Sequence, residues 1–150
     1  MNRLDLARYI QYVVGQCLTS DVPFTDVEEW KELQVRLVTG LNTLEEWRGD
    51  TPDEEAERLL AILMGHCVSV GSNRCMGDVL VQAEEVLPKV KDSVLRCHLA
   101  VFCYMECLDE ELEREVYREM MELKKSGRGE EIWMLEKMLE DIQEREAAVQ

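Results

Sequence analysis

An all-α fold follows from three features of this 150-residue chain. Apolar residues recur at three- and four-residue spacing, helix-start signals repeat along the chain, and no long stretch alternates as a strand does. About seven antiparallel helices joined by short loops satisfy that pattern, either as an irregular bundle or as a short helical-hairpin array. Hydrophobic residues make up 46%, with only 3 Pro, which is enough apolar content for a core in one domain spanning residues 1–150.

The first helix is expected over residues ~3–19, where Leu6, Ile10, Val13, Val14, Cys17 and Leu18 share a helical spacing. Ser20-Asp21-Val22-Pro23 breaks it, and Thr25-Asp26-Val27-Glu28 reads as a capping box for the second helix. That helix carries Trp30, Leu33, Leu37, Leu41, Leu44 and Trp47 along one face and closes at Gly49-Asp50. Thr51 then serves as an N-cap, Pro52 fits the first helical position and Glu54 completes a second box. The apolar run Leu59 to Val70 predicts a central helix covered all round, ended by Gly71-Ser72-Asn73.

A fourth helix spans Cys75 to Leu87 and stops at Pro88. Asp92 or Ser93 starts a fifth, with Val94, Leu95, His98, Val101 and Phe102. The chain turns near Leu108-Asp109 into a sixth helix carrying Leu112, Val116, Met120 and Leu123. Ser126-Gly127-Arg128-Gly129 is a break, and a seventh helix uses Ile132, Leu135, Met138, Leu139 and Ile142 before fraying at Ala147-Ala148-Val149-Gln150. Val68-Ser69-Val70 and Val79-Leu80-Val81 are too short for strands and lie inside helical patterns. Helix starts near Thr51 and Asp92 lie about 40 residues apart, which keeps a helical-repeat, peptide-binding scaffold as an alternative reading.

Charge narrows the partners. With 17 Lys+Arg against 32 Asp+Glu the net charge is −15, which opposes a nucleic-acid footprint or an anionic membrane surface. Residues 101–150 hold 15 acidic and 7 basic side chains, so this third contributes −8, and a basic protein face is the natural partner. The N-terminus places Asp5 where a signal peptide would continue into an apolar core. The longest uncharged stretch, Leu59 to Asn73, is shorter than the ~20 residues of a membrane span. A cytoplasmic protein is expected.

No reaction is written in the residues. Cys17, Cys67, Cys75, Cys97, Cys103 and Cys107 form no Cys-x-x-Cys pair and read as reduced, mostly buried thiols. Cys97, His98, Cys103 and Cys107 could supply zinc ligands, but His98 lies about 140° around the helix from Cys103. No metal and no cofactor is therefore expected. The residues three before His66 and His98 are Leu63 and Leu95, which excludes the Glu-x-x-His pattern of di-iron bundles. Both histidines lie in apolar runs and read as core residues without a triad around them, so the chain is not expected to be an enzyme. Gly127-Arg128-Gly129 lacks the strand and the Gly-Lys-Ser/Thr of a phosphate loop. The three tryptophans read as core or half-buried anchors; one exposed beside carboxylates would lead the candidates for an interface.

Two blocks carry a resemblance. Gly49-Asp50-Thr51-Pro52-Asp53-Glu54-Glu55-Ala56-Glu57, followed by Leu60-Ala61-Ile62-Leu63-Met64-Gly65, resembles the UpxZ family of transcription antitermination antagonists. Leu95-Arg96-Cys97-His98-Leu99, Cys103-Tyr104-Met105-Glu106 and Glu110-Glu111-Leu112 are similar to that family's second block. The likeness covers roughly residues 43 to 125, and His66 stands where a tyrosine is expected. It implies a non-catalytic regulator, encoded among capsular polysaccharide operons, that binds and inhibits NusG-like UpxY factors of competing operons. The acidic face is the expected docking surface, with Glu110, Glu111, Glu113, Glu115 and Glu119 as candidates and no direct nucleic-acid contact.

Overall fold

The computed structural model describes residues 1–19, 27–69 and 76–149. Among them are seven α-helices, two 3₁₀ turns and no strand. The chain divides into two compact units, Met1–Lys91 and Asp92–Gln150. No helix among the described residues is long and apolar enough to cross a membrane.

In the first unit, α1 (Arg3–Thr19) opens with the Asn2 side chain accepting from the Asp5 amide at 2.8 Å. It buries Ala7, Ile10 and Val14, a spacing that lays one stripe against α2 (Val27–Glu45) and α3 (Pro52–Val68). α2 buries Leu37, Leu41 and Leu44, while Trp30, Leu33 and Trp47 are half-buried at its margins. It stops at Glu45, before the Gly49-Asp50 pair that marks its close in the sequence. The Thr25 capping box and the Ser20–Pro23 break lie outside the described residues.

α3 starts as its sequence predicts, with one refinement. Thr51 Oγ1 accepts from the Glu54 amide at 3.1 Å, but the Glu54 carboxylate reaches back to the Asp50 amide (2.7 Å) and Glu55 to the Gly49 amide. Two acids thus satisfy two successive upstream amides, while their charge suits the positive helix end. Residues Leu59 to Gly65 are all buried, so the apolar run forms the core of this unit as far as Gly65; beyond it His66 and Val68 are half-buried, Cys67 is exposed and Val70 lies outside the described residues. The helix ends at Val68 on a Ser69 C-cap, and the Gly71-Ser72-Asn73 terminator lies outside the described residues. Gln34 closes its last turn by donating to the Val68 carbonyl at 3.0 Å. α4 (Gly77–Val86) follows, and Pro88 tightens the chain into a 3₁₀ turn, Leu87–Lys89, rather than stopping it outright.

In the second unit, Asp92 caps α5 (Ser93–Cys107) by accepting from the Val94 and Leu95 amides at 3.0 and 3.2 Å. Buried residues include Leu95, Cys97, and an unbroken run from Leu99 to Tyr104. Leu108 ends α5 in the left-handed region at φ 54°. Asp109 caps α6 (Glu110–Lys125) through the Leu112 amide at 3.0 Å. After Gly127 at φ 82°, a 3₁₀ turn (Gly129–Ile132) leads into α7 (Trp133–Val149), which takes in Ala147, Ala148 and Val149 of the segment expected to fray, while Gln150 lies outside the described residues.

Candidate functional site

α6 has acids in its first turn and Lys124 and Lys125 in its last, the polarity that a helix dipole favours. Val116, Met120 and Leu123 form its buried stripe. At about 100° per residue, the five candidate acids do not share one face; they flank that stripe in two strips. Glu111, Glu115 and Glu119 follow the flank toward α5, where Arg96 Nε meets Glu119 Oε1 at 2.9 Å. Glu110 and Glu113 follow the other flank, the one that leads to Tyr117 and its hydrogen bond from Gln143 of α7.

Exposure separates them further. Glu110, Glu111 and Glu115 are open to solvent, and Glu115 meets Arg118 at 3.3 Å. Glu113 is half-buried. The Glu119 side chain is only 16% exposed, and its Oε2 is buried with no hydrogen-bond partner among the described residues. Its carboxylate is spent on joining α5 to α6. The part of the acidic candidate set open to a partner is thus Glu110, Glu111 and Glu115.

Trp133, at the start of α7, meets the condition set for an interface aromatic. It is 54% exposed and stands two residues after exposed Glu131, with buried Ile132 between them, whereas Trp30 and Trp47 are half-buried. Glu131 is held by Arg128 through two hydrogen bonds, 2.7 and 3.2 Å, and these keep its carboxyl below the usual range. An exposed indole on an acidic segment suits a partner that presents cations and apolar surface together.

Among the described residues the thiols and imidazoles form no reactive constellation. Cys97 and Cys103 are buried, and desolvation pushes each thiol up to about 12. Cys67 and Cys107, expected inside, are exposed: each falls in the last turn of its helix, beyond the covered stretch. The histidines are likewise half-buried rather than core, with the His98 Nε2 3.3 Å from the Glu131 carbonyl oxygen. No group of three His, Cys, Asp or Glu side chains among the described residues could hold a metal ion.

Sequence reasoning missed Arg58, the one buried charged residue among those described, 2% exposed at the head of the apolar run. Its guanidinium pairs with Glu55 at 3.2 Å and donates to the Leu44 carbonyl at 3.2 Å and to Gln82 Oε1. Burial pulls its pKa down and Glu55 pulls it back up. All its branches are engaged within the unit, so Arg58 fastens α2, α3 and α4 and offers nothing to a ligand.

The family model for the UpxZ family of transcription anti-terminator antagonists matches residues 17–105, beginning earlier and ending earlier than the likeness seen in the motifs. No curated protein matches the chain. The crystal structure of the transcription anti-terminator antagonist UpxZ from Bacteroides uniformis ATCC 8492 is similar to it at a TM-score of 0.73 and 23% identity, over 93% of this chain and 94% of that one. That likeness fixes the all-helical fold, and the family model, spanning more than half the residues, places this chain in the UpxZ family of transcription anti-terminator antagonists.

Proposed function

We propose that this protein inhibits NusG-like, UpxY-type antitermination factors of competing capsular polysaccharide operons by direct protein–protein binding in the cytoplasm, without catalysis. It covers the surface that such a factor needs for polymerase or nascent RNA. Family membership supports the regulatory part of this reading. Charge supports the docking part: residues 92–150 hold 16 acidic and 8 basic side chains, a net −8, and Glu110, Glu111 and Glu115 stand open on α6. A factor that works against RNA polymerase and nucleic acid carries basic surface, which such a face attracts. Opposite charge accelerates encounter more than it deepens final affinity.

The test is association kinetics between the purified protein and a non-cognate UpxY-type factor. Reversing Glu110, Glu111 and Glu115 to Lys is expected to slow association about tenfold at low salt and to flatten its dependence on ionic strength. Unchanged kinetics would remove the acidic face from the mechanism. The reading also takes residues 1–150 as one domain, for which the check is a single cooperative melting transition; two separated transitions would refute it.

A further inference from the structure

α6 and α7 leave between them a cleft of about 290 Å³. Two polar bridges frame it. Lys124 Nζ meets Glu136 Oε2 at 2.7 Å, and Gln143 Nε2 donates to the Tyr117 hydroxyl. The bridges are seven residues apart on each helix, so they stand about 10 Å, or two turns, from one another. Met120, Met121 and Leu139 line the window between them. Met121 is 59% exposed at the mouth of this cleft, next to an apolar wall it can share with an occupant. Unbranched thioethers reshape around whatever they touch, which suits a pocket that meets related but unequal partners.

The lips carry a small excess of acid. Lys124 is paired with Glu136, Glu140 lines the cleft, Glu113 and Arg114 lie one turn before Tyr117, Lys137 lies one turn before Glu140, and Glu144 lies one turn beyond it. The strip of α7 that carries Glu136 and Glu140 also carries Trp133, three residues before Glu136. An apolar window two turns long, edged by acids and an open indole, fits one kind of occupant: a helix with apolar side chains at i and i+4 and Lys or Arg beside them.

We propose that the α6–α7 cleft is the apolar anchor for a basic amphipathic helix of the antitermination factor. This inference rests on the binding reading above and assigns the two surfaces different tasks: the open acids set the rate of arrival and the cleft sets the residence time.

The experiment compares wild type, the Glu110/Glu111/Glu115→Lys variant, Met121→Glu and Glu140→Lys against one purified non-cognate UpxY-type factor. It is combined with methionine-methyl NMR of the wild-type protein. Met121→Glu is expected to raise the dissociation rate at least tenfold with association within about twofold, and the Met120 and Met121 methyl signals to shift in the complex. Glu140→Lys, which leaves the apolar lining intact, should raise dissociation less. Circular dichroism confirms that each variant is folded. Dissociation unchanged in Met121→Glu, with both methyl signals unmoved in a complex that still forms, overturns the cleft while leaving the acidic face standing. Faster dissociation in Met121→Glu, with no effect of the acid reversals on association, keeps the cleft and removes the face. Methyl shifts that follow protein concentration without any factor assign the cleft to a second copy of this chain and overturn the proposal. If no complex forms with wild type, reading and inference fall together.

Discussion

Arg58 and Glu55 lie one helical turn apart on α3, and the Glu55 Oε1 that holds the guanidinium at 3.2 Å also accepts the Gly49 amide. One carboxylate oxygen thus ties the approach to α3 to the cation that reaches α2 and α4. Removing the cation leaves Glu55, Gln82 and the Leu44 carbonyl without their shared donor. Arg58→Met is expected to lower unfolding stability by about 3 kcal/mol in urea titration, and Arg58→Lys to recover only part, since an ammonium cannot span all three acceptors. A loss under about 1 kcal/mol for Arg58→Met would contradict the hub role.

Two glycines mark helix crossings of unequal tightness. A Cβ at Gly65 would meet three atoms of the buried Leu41 side chain at 2.7, 3.0 and 3.2 Å. At Gly40 it would meet only the terminal methyl of Ile10 under 3 Å, at 2.9 Å. Gly65→Ala is expected to cost about 1–2 kcal/mol despite the better helix propensity of alanine. Gly40→Ala should be nearly neutral, because one methyl can swing aside and propensity offsets the rest. Thermal melts of the two variants measure the difference.

Leu108 adopts φ 54° at the end of α5, with its side chain 54% exposed. Left-handed backbone penalises any Cβ, and little packing is lost by removing this one. Leu108→Gly should therefore raise stability by about 0.5–1 kcal/mol, read as a shift in the denaturation midpoint.

Burial raises Cys97 and Cys103 from the ordinary 9.0 to about 12. Unfolded thiols would release their protons first, so the contribution of these groups is complete below pH 9 and is lost as pH rises toward 12. Stability should decline across that window, less steeply in a Cys97→Ala/Cys103→Ala variant. Maleimide should label Cys67 and Cys107 quickly in the native protein, and Cys97 and Cys103 only after unfolding.

What could be read from the chain was local. Thr51, Asp92 and Asp109 cap helices through amides two or three residues away, and the apolar run from Leu59 fills a covered helix. What escaped depends on distant partners. Arg58 finds Leu44 and Gln82 from 14 and 24 residues away, and the Glu119 carboxylate turns inward because Arg96 lies across from it on another helix. A charge at the head of an apolar run, three residues after Glu55, was the available signal for Arg58. The acidic candidates were legible as a composition, but their division into two strips needed the direction of the buried stripe.

The paired spacing of Tyr117 with Gln143 and Lys124 with Glu136 makes the stretch of α7 from Glu136 to Gln143 a gauge of length. One residue added inside it would turn Gln143 by about 100° and carry it about 1.5 Å along the axis, parting it from Tyr117 while Lys124 kept Glu136. Substitutions along this stretch are tolerable to the extent that they keep its count, whereas insertions are not.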